Sequence, residues 1–168
     1  PILEGALVDD PIRTRLLIQE YDIAAGAFTG NYWFYPLSDP GHAMGEMTAL
    51  NETEYLVIER DTEHRDEAKF KRIFKIALTD ANQGQIVEKE IVADLLAITD
   101  VDGITQAEEG SIGLGEVFKM PFSTIESVYP VRDDLLLVAN DNNYPFRSGR
   151  RPDVRPDDNE FVLIDIAP

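Results

Sequence analysis

The chain has 168 residues, 43% of them hydrophobic, which is enough for one globular domain with a sizeable core. Its net charge of −17, from 32 acidic and 15 basic residues, argues against DNA, RNA or an anionic membrane as a partner and makes cations the natural counterpart. The absence of cysteine excludes disulfides and thiolate metal ligands, and no apolar run reaches the length of about eighteen residues that spans a membrane.

The first ten residues, PILEGALVDD, begin inside an apolar pattern and lack the layout of a secretion signal. We therefore expect the chain to be a piece of a longer protein, so the sequence itself does not indicate the compartment. Two strands are predicted next, over residues 13–23 and 28–37. The second contains five aromatic residues, which favour a pleated, half-buried surface.

Residues 45–61, GEMTALNETEYLVIERD, predict a β-hairpin with a polar turn and an apolar second strand. The same layout recurs in residues 125–141, IESVYPVRDDLLLVAND. Two hairpins that carry the same acids at the same places indicate a repeated unit. The matched positions are Glu46 and Glu126, Leu56 and Leu136, and Asp61 and Asp141.

The rest of the chain also reads as strands and loops. Residues 71–78 alternate basic or small with apolar side chains, as expected of a strand with one buried face, and residues 86–96 form another strand. Residues 100–121 contain four glycines and predict a long loop. A proline-rich loop with four arginines, residues 142–159, precedes a closing strand at 160–166.

These segments predict an all-β fold of short strands and polar turns. Four consecutive strands over residues 45–98 suggest one blade of a β-propeller. Residues 1–38 would end a preceding blade and residues 122–168 would form most of the last one. The chain, residues 1–168, would thus cover about two to three blades, as a single domain or as the C-terminal fragment of one. A β-sandwich is the alternative.

Several stretches resemble the bacterial phytase-like family, whose domain is named for an esterase-like activity of phytase. The ERD and NDNN motifs, in this order, carry the resemblance, which covers almost the whole chain and matches the C-terminal part of the family domain. It implies a β-propeller, a secreted or periplasmic location, and phosphoesterase activity on a small phosphate ester or other ester. The remaining blades of the parent chain would be a further partner. The matching stretches include YPLSDPGHAMGEMTAL at 35–50, YLVIERD at 55–61, FSTIESV at 122–128 and LLLVANDNNYPFRSGR at 135–150.

Acids and amides near the strand ends carry oxygen atoms, which are the ligands that calcium prefers. Calcium binds about six to eight oxygen ligands at ~2.3–2.6 Å. Without a cation, carboxylates this close would raise one another's pKa. The alternatives are that these acids pair with arginines or backbone amides, or that the acidity reflects a saline habitat. The expected calcium ligands are Glu46, Glu59, Asp61, Glu126, Asp141 and Asn142.

Metal-assisted hydrolysis is the predicted reaction, because a bound metal polarises a phosphoryl oxygen and activates water. Arginine holds phosphate through paired hydrogen bonds, so we assign substrate binding to Arg60, Arg147 and Arg150. Catalysis is assigned to Glu59, Arg60 and His42, with His42 as general acid for the leaving alcohol. The competing interpretations are that the arginines lie in a solvated loop and that His42 caps a turn. The alternative function is a non-catalytic propeller that binds a structural cation.

Other hydrolase and nucleotide-binding patterns are missing from the sequence. No Gly-x-Ser-x-Gly elbow or Walker A loop occurs, and only two histidines are available as the base of a serine triad. Residues 100–103, DVDG, begin like an EF-hand calcium loop, but the later ligands do not follow. We expect a turn there.

Overall fold

A computed structural model describes residues 1–143, 149–154, 156 and 159–166. This described part is all-β, as predicted, with two short 3-10 helices and no α-helix, and none of its helices could cross a bilayer. The 3-10 helices are η1 (Arg65–Glu67) and η2 (Asp80–Asn82). The strands are β1 (Arg15–Asp22), β2 (Ala27–Pro36), β3 (Ala43–Ala49), β4 (Glu54–Arg60), β5 (Lys71–Ala77), β6 (Lys89–Asp94), β7 (Ile98–Thr99), β8 (Val117–Phe118), β9 (Ile125–Arg132), β10 (Leu135–Asn140) and β11 (Phe161–Asp165).

The strands form four antiparallel sheets. Their orders are β1-β2, β3-β4-β5-β6, β11-β10-β9 and β7-β8. The four strands predicted over residues 45–98 lie in one sheet in chain order. The predicted loop at residues 100–121 is closed at its base by the β7-β8 pair, in which Thr99 lies opposite Val117.

The carboxylate of Asp100 organises the start of this loop as the expected turn. It accepts hydrogen bonds from the backbone N–H groups of Ile104 and Thr105, both at 3.0 Å, and from the Thr105 hydroxyl at 2.6 Å. An Asp side chain that bonds backbone N–H groups a few residues ahead stabilises a turn without an ion.

Strand β4 lies at the centre of the packing because both of its faces are apolar. Val57 joins a first core, which side chains of β1 and β2 cover from one side. Leu56 and Ile58 join a second core with side chains of β9, β10 and β11. A continuous apolar run is expected of a strand that is buried on both faces. The β3–β6 sheet therefore lies between the β1-β2 and β9–β11 sheets.

The first strand of each hairpin has a bulge, and the two bulges are one residue apart in the alignment of the repeats. In β3 the pairing with β4 shifts around Gly45, between Met44 and Glu46. In β9 the pairing with β10 shifts around Glu126. At these bulges β3 and β9 approach each other closely. A Cβ atom built on Gly45 would be 2.1 Å from the carbonyl oxygen of Ile125, so only glycine fits there.

Candidate functional site

The end of β4 and the residue after it carry three consecutive charges: Glu59, Arg60 and Asp61. Glu59 is 0% exposed and Arg60 is 4% exposed. A buried charge is costly without a partner, so each of these side chains must be compensated. Successive side chains of a strand point to opposite faces, which places Glu59 on the β1-β2 side and Arg60 on the β9 side.

The Glu59 carboxylate accepts four hydrogen bonds. The donors are the Tyr35 hydroxyl at 2.8 Å, the Ser38 backbone N–H at 2.6 Å, His42 Nδ1 at 2.9 Å and Lys89 Nζ at 2.5 Å. Burial alone would raise the pKa of Glu59, but the bonds from Lys89, His42, Ser38 and Tyr35 together hold this pKa below its usual value. Glu59 is therefore a buried carboxylate whose charge is compensated by four donors.

His42 is fixed by this carboxylate and by an aromatic neighbour. Its ring lies 4.2 Å from the ring of Phe70, centroid to centroid, and its side chain is 12% exposed. With Nδ1 bonded to Glu59, Nε2 has no hydrogen-bond partner among the residues that the structure describes. A histidine oriented by a carboxylate through one ring nitrogen can exchange a proton at the other. His42 and Glu59, both predicted as catalytic, are thus in contact.

Lys89 supplies a positive charge that the sequence did not reveal. Its ammonium donates to the carbonyl oxygen of Pro36 at 2.6 Å, the Ser38 hydroxyl at 2.9 Å and Glu59 at 2.5 Å. Since an ammonium has three N–H donors, none is left for a ligand. It also lies 4.3 Å from the ring centroid of Phe74. Nothing in the spacing of residue 89 relative to Glu59 indicates this contact.

On the opposite face, Arg60 reaches β9. Its Nη2 donates to Glu126 Oε1 at 2.6 Å and lies 3.9 Å from Glu4. Its Nε is buried and has no hydrogen-bond partner among the described residues. Burial raises the pKa of Glu126, Arg60 opposes that effect, and the charges of Glu4 and Asp141 add to it. The pairing joins the two repeats through their equivalent hairpins.

Asp61 is compensated by the fully buried Lys71. The Lys71 ammonium lies 2.6 Å from the Asp61 carboxylate and donates to the carbonyl oxygens of Asp61 and Glu63 at 2.8 and 2.9 Å. The carboxylate also accepts from the backbone N–H groups of Lys69 and Phe70 at 2.7 and 2.8 Å. This pair closes the turn that follows β4 and anchors the loop containing η1.

Comparison with known proteins agrees with the resemblance carried by these motifs. A family model described as Phytase-like, with the esterase-like activity of phytase, matches residues 1–144. The chain belongs to the Phytase-like family. No curated protein and no solved structure matches it significantly. Phytase-like membership suggests a phosphoesterase-type hydrolase with a small-molecule ester substrate. The ERD motif lies inside the matched range.

The other calcium ligands predicted for this Phytase-like chain have separate partners. Glu46 accepts from the Val128 backbone N–H at 2.5 Å, and Asp141 accepts from the Asn143 N–H at 3.1 Å. Asn142 donates its own backbone N–H at 2.8 Å to the side chain of Asn159. In the part of the chain that is described, no three His, Asp or Glu side chains are grouped as a metal site. The six candidates do not converge on one position, and calcium binding stays a prediction.

The two arginines predicted outside the ERD motif lie beyond the range matched by the Phytase-like model. Arg147 falls outside the described residues. Arg150 donates to the Glu160 carboxylate at 2.9 Å and to the carbonyl oxygens of Ile112 and Lys119, both at 2.7 Å. Its guanidinium thereby ties the segments on both sides of β8 to the residue before β11, and its role in substrate binding stays a prediction.

A cavity of about 980 Å³ in the described part of this Phytase-like chain is not lined by the His42–Glu59 pair. It lies between β6, the β7 region and β11, and its lining includes Val92, Ile98, Val162 and Ile164. The buried charged side chains with hydrogen-bond and ion-pair partners lie at the end of β4 instead. Since chemistry requires reactive groups rather than volume, we take the end of β4 as the candidate site.

Acid should destabilise the folded Phytase-like chain through Glu59 and Asp61. Burial tends to raise the pKa of Asp61, but the Lys71 ammonium and the backbone N–H groups hold it below its usual value of 3.8. Because both folded pKa values are lowered, the unfolded state takes up more protons as the pH falls. The stabilisation is complete above the unfolded values, 3.8 and 4.5, and is lost below them.

Urea unfolding at pH 7, 4.5 and 3 measures this effect. We expect the urea midpoint to fall mainly between pH 4.5 and pH 3. In Asp61→Asn the midpoint should be lower at pH 7 and should change less with pH. An unchanged wild-type midpoint down to pH 3 would contradict the ionised, compensated state of both carboxylates.

Proposed function

We propose that this Phytase-like chain is the catalytic part of a phosphoester hydrolase in which His42 transfers the proton. The observation that supports this most directly is the 2.9 Å contact between His42 Nδ1 and the fully buried carboxylate of Glu59. A proton-transfer group needs a fixed orientation and a neighbour that stabilises its charged form. Glu59 provides both, and Lys89 adds positive charge next to the pair.

In the proposed reaction, water attacks the phosphorus atom of the bound ester while the bond from phosphorus to the leaving oxygen breaks. The imidazolium of His42 gives its Nε2 proton to that oxygen, which leaves as an alcohol. The attacking water loses its proton to solvent. Glu59 accepts the Nδ1 hydrogen bond throughout and stabilises the imidazolium without being protonated. Solvent then returns a proton to Nε2.

Two further elements of the proposal do not depend on His42. Arg60 lies on the other face of β4, where its guanidinium is buried and paired with Glu126, so it would orient a phosphate only after that pair opens. Calcium, if it binds, would relieve the repulsion that Glu4 and Asp141 exert on Glu126. No step of the proton transfer passes through either group.

We also propose that the three packed sheets are neighbouring propeller blades. This proposal is supported by the ends of β4 and β10, because the same turn follows both strands. Asp61 Oδ1 accepts from the N–H of Glu63 at 3.2 Å, and Asp141 Oδ1 accepts from the N–H of Asn143 at 3.1 Å. A repeated hairpin with the same terminal turn is expected of successive blades. An extracellular location, usual for this family, is part of the same proposal.

Replacing His42 with glutamine tests the catalytic role. Hydrolysis of the alkyl ester glycerol phosphate, followed as released phosphate, should lose about 100-fold or more in kcat with a small change in KM, because its alkoxide needs a proton to leave and a general acid typically contributes 10²–10⁴-fold. Hydrolysis of p-nitrophenyl phosphate, whose leaving group needs no proton, should lose much less. The matched control is His64→Gln, which removes the other histidine, outside the Glu59 cluster, and should keep the wild-type rate. Each assay is run with calcium and with a chelator.

Three results would change the proposal. Full activity in His42→Gln would remove His42 from the mechanism. Activity that disappears with the chelator in all variants would make calcium part of the active site. If the wild type hydrolyses neither ester under either condition, and calcium raises its Tm, the chain is a non-catalytic module with a structural cation.

A further inference from the structure

A cationic pocket lies between η1 and the loop that leads into β8. Its volume is about 550 Å³, and it is lined by three cations, Arg65, Lys69 and Lys119. The lining also includes two acids, Asp66 and Glu116. These side chains sum to a charge of +1, in a chain whose net charge is −17. We refer to this site as the lysine pocket.

The two lysines of this pocket differ from most cations of the chain. Ten of the described Lys and Arg side chains have a carboxylate within 4.0 Å, including Arg65, which pairs with Asp153 at 3.3 Å. Over the described ranges, Lys69 and Lys119 have no such partner, and Lys69 instead donates to the carbonyl oxygen of Asp66. In so acidic a chain, two uncompensated lysines at one concavity leave charge for an anionic ligand.

The backbone of the loop adds neutral donors. For residues 113–116, which all line the pocket, no backbone N–H has an acceptor in the described part of the chain. Gly113 has a positive φ of 67°, held by a hydrogen bond from the Lys119 N–H to its carbonyl oxygen at 2.8 Å. Successive backbone N–H groups around a left-handed residue are a recurrent way to bind phosphate.

We propose that the lysine pocket binds a phosphate group of a small polyanionic molecule, at a site that shares no residue with the His42–Glu59 pair. The ammonium groups of Lys69 and Lys119 supply charge, and the N–H groups of residues 113–116 supply directed hydrogen bonds. Asp66 and Glu116 limit the affinity. A ligand with several negative charges therefore binds better than a singly charged one.

The experiment is calorimetric titration of the whole chain with pyrophosphate and with inorganic phosphate, at low salt and matched ionic strength. We expect pyrophosphate to bind more tightly than phosphate. Lys119→Gln should raise the Kd for pyrophosphate about fivefold to tenfold, because it removes one unit of attraction. Glu116→Gln should lower the Kd about threefold, because it removes one unit of repulsion. Turnover is not required for either readout.

The matched control is Lys75→Gln, which removes a lysine of β5 that is paired with Glu90 at 3.4 Å outside the pocket. Its Kd should equal that of the wild type. The proposal is overturned if wild-type chain releases no heat with pyrophosphate, if Lys119→Gln binds as tightly as wild type, or if Lys75→Gln weakens binding equally. Thermal unfolding of each variant establishes that it is folded, and Glu116→Gln gives an independent reading if Lys119→Gln is not.

Discussion

Replacing Lys71 with methionine should lower the free energy of unfolding by about 3–5 kcal/mol, the usual cost of removing one partner of a buried ion pair. Lys71 is 0% exposed, and its ammonium is 2.6 Å from the Asp61 carboxylate. Methionine fills a similar volume but leaves Asp61 with only backbone donors. The carbonyl oxygens of Asp61 and Glu63 also lose their donor. Urea unfolding at pH 7 measures the change.

The same strand offers a matched control. Lys75 is on β5 too, but its side chain is 37% exposed, and it lies 3.4 Å from the exposed Glu90. Lys75→Met should change stability by no more than about 0.5 kcal/mol, as expected for a surface pair. The double variant Asp61→Asn with Lys71→Met should be more stable than Lys71→Met alone, since the double variant has no unpaired buried charge at the position of this ion pair. A loss under 1 kcal/mol in Lys71→Met would contradict the burial of this pair.

Replacing Gly45 with alanine should cost about 3 kcal/mol, at the upper end of the usual cost of overpacking. The added Cβ would lie 2.1 Å from the carbonyl oxygen of Ile125 and 3.2 Å from a methyl carbon of Ile58. A backbone carbonyl cannot rotate away as a side chain can, so β3 and β9 would have to separate. The packing of the second core between these strands would then be disrupted. Thermal and urea unfolding both measure this.

Gly5 supplies the control for this substitution. A Cβ atom at Gly5 would have nothing within 4 Å, so Gly5→Ala should leave stability within about 0.5 kcal/mol of the wild type. If Gly45→Ala unfolds at the same urea concentration as Gly5→Ala, the close approach of β3 and β9 is not present in solution.

The strand pattern was largely predictable because alternation and apolar runs are local. Both hairpins and the strand at 71–78 could be located from the order of apolar and polar residues alone. The β7-β8 pair was missed, since strands of two residues carry no periodicity. Local pattern also does not specify which sheet covers which face. Whether the three packed sheets belong to a closed ring remains a prediction for the same reason.

The candidate site was predictable in part. The ERD motif drew attention to Glu59, and the register of the β3–β4 hairpin, with Met44 opposite Glu59, places His42 near that carboxylate. Lys89 and Lys71 could not be found this way. Their pairing with Glu59 and Asp61 depends on how neighbouring strands and loops pack. The spacing of residues along the sequence does not indicate that packing. Spacing likewise does not indicate the protein donors that most of these acids have, and calcium binding by them stays a prediction.

Strand β4 contributes side chains to two separate cores, Val57 to one and Leu56 and Ile58 to the other. If either flanking sheet were to detach, one full face of this strand would meet water. The middle sheet would then lose one of the two apolar cores that stabilise it. Denaturation should therefore proceed as a single cooperative transition through all three layers, rather than repeat by repeat.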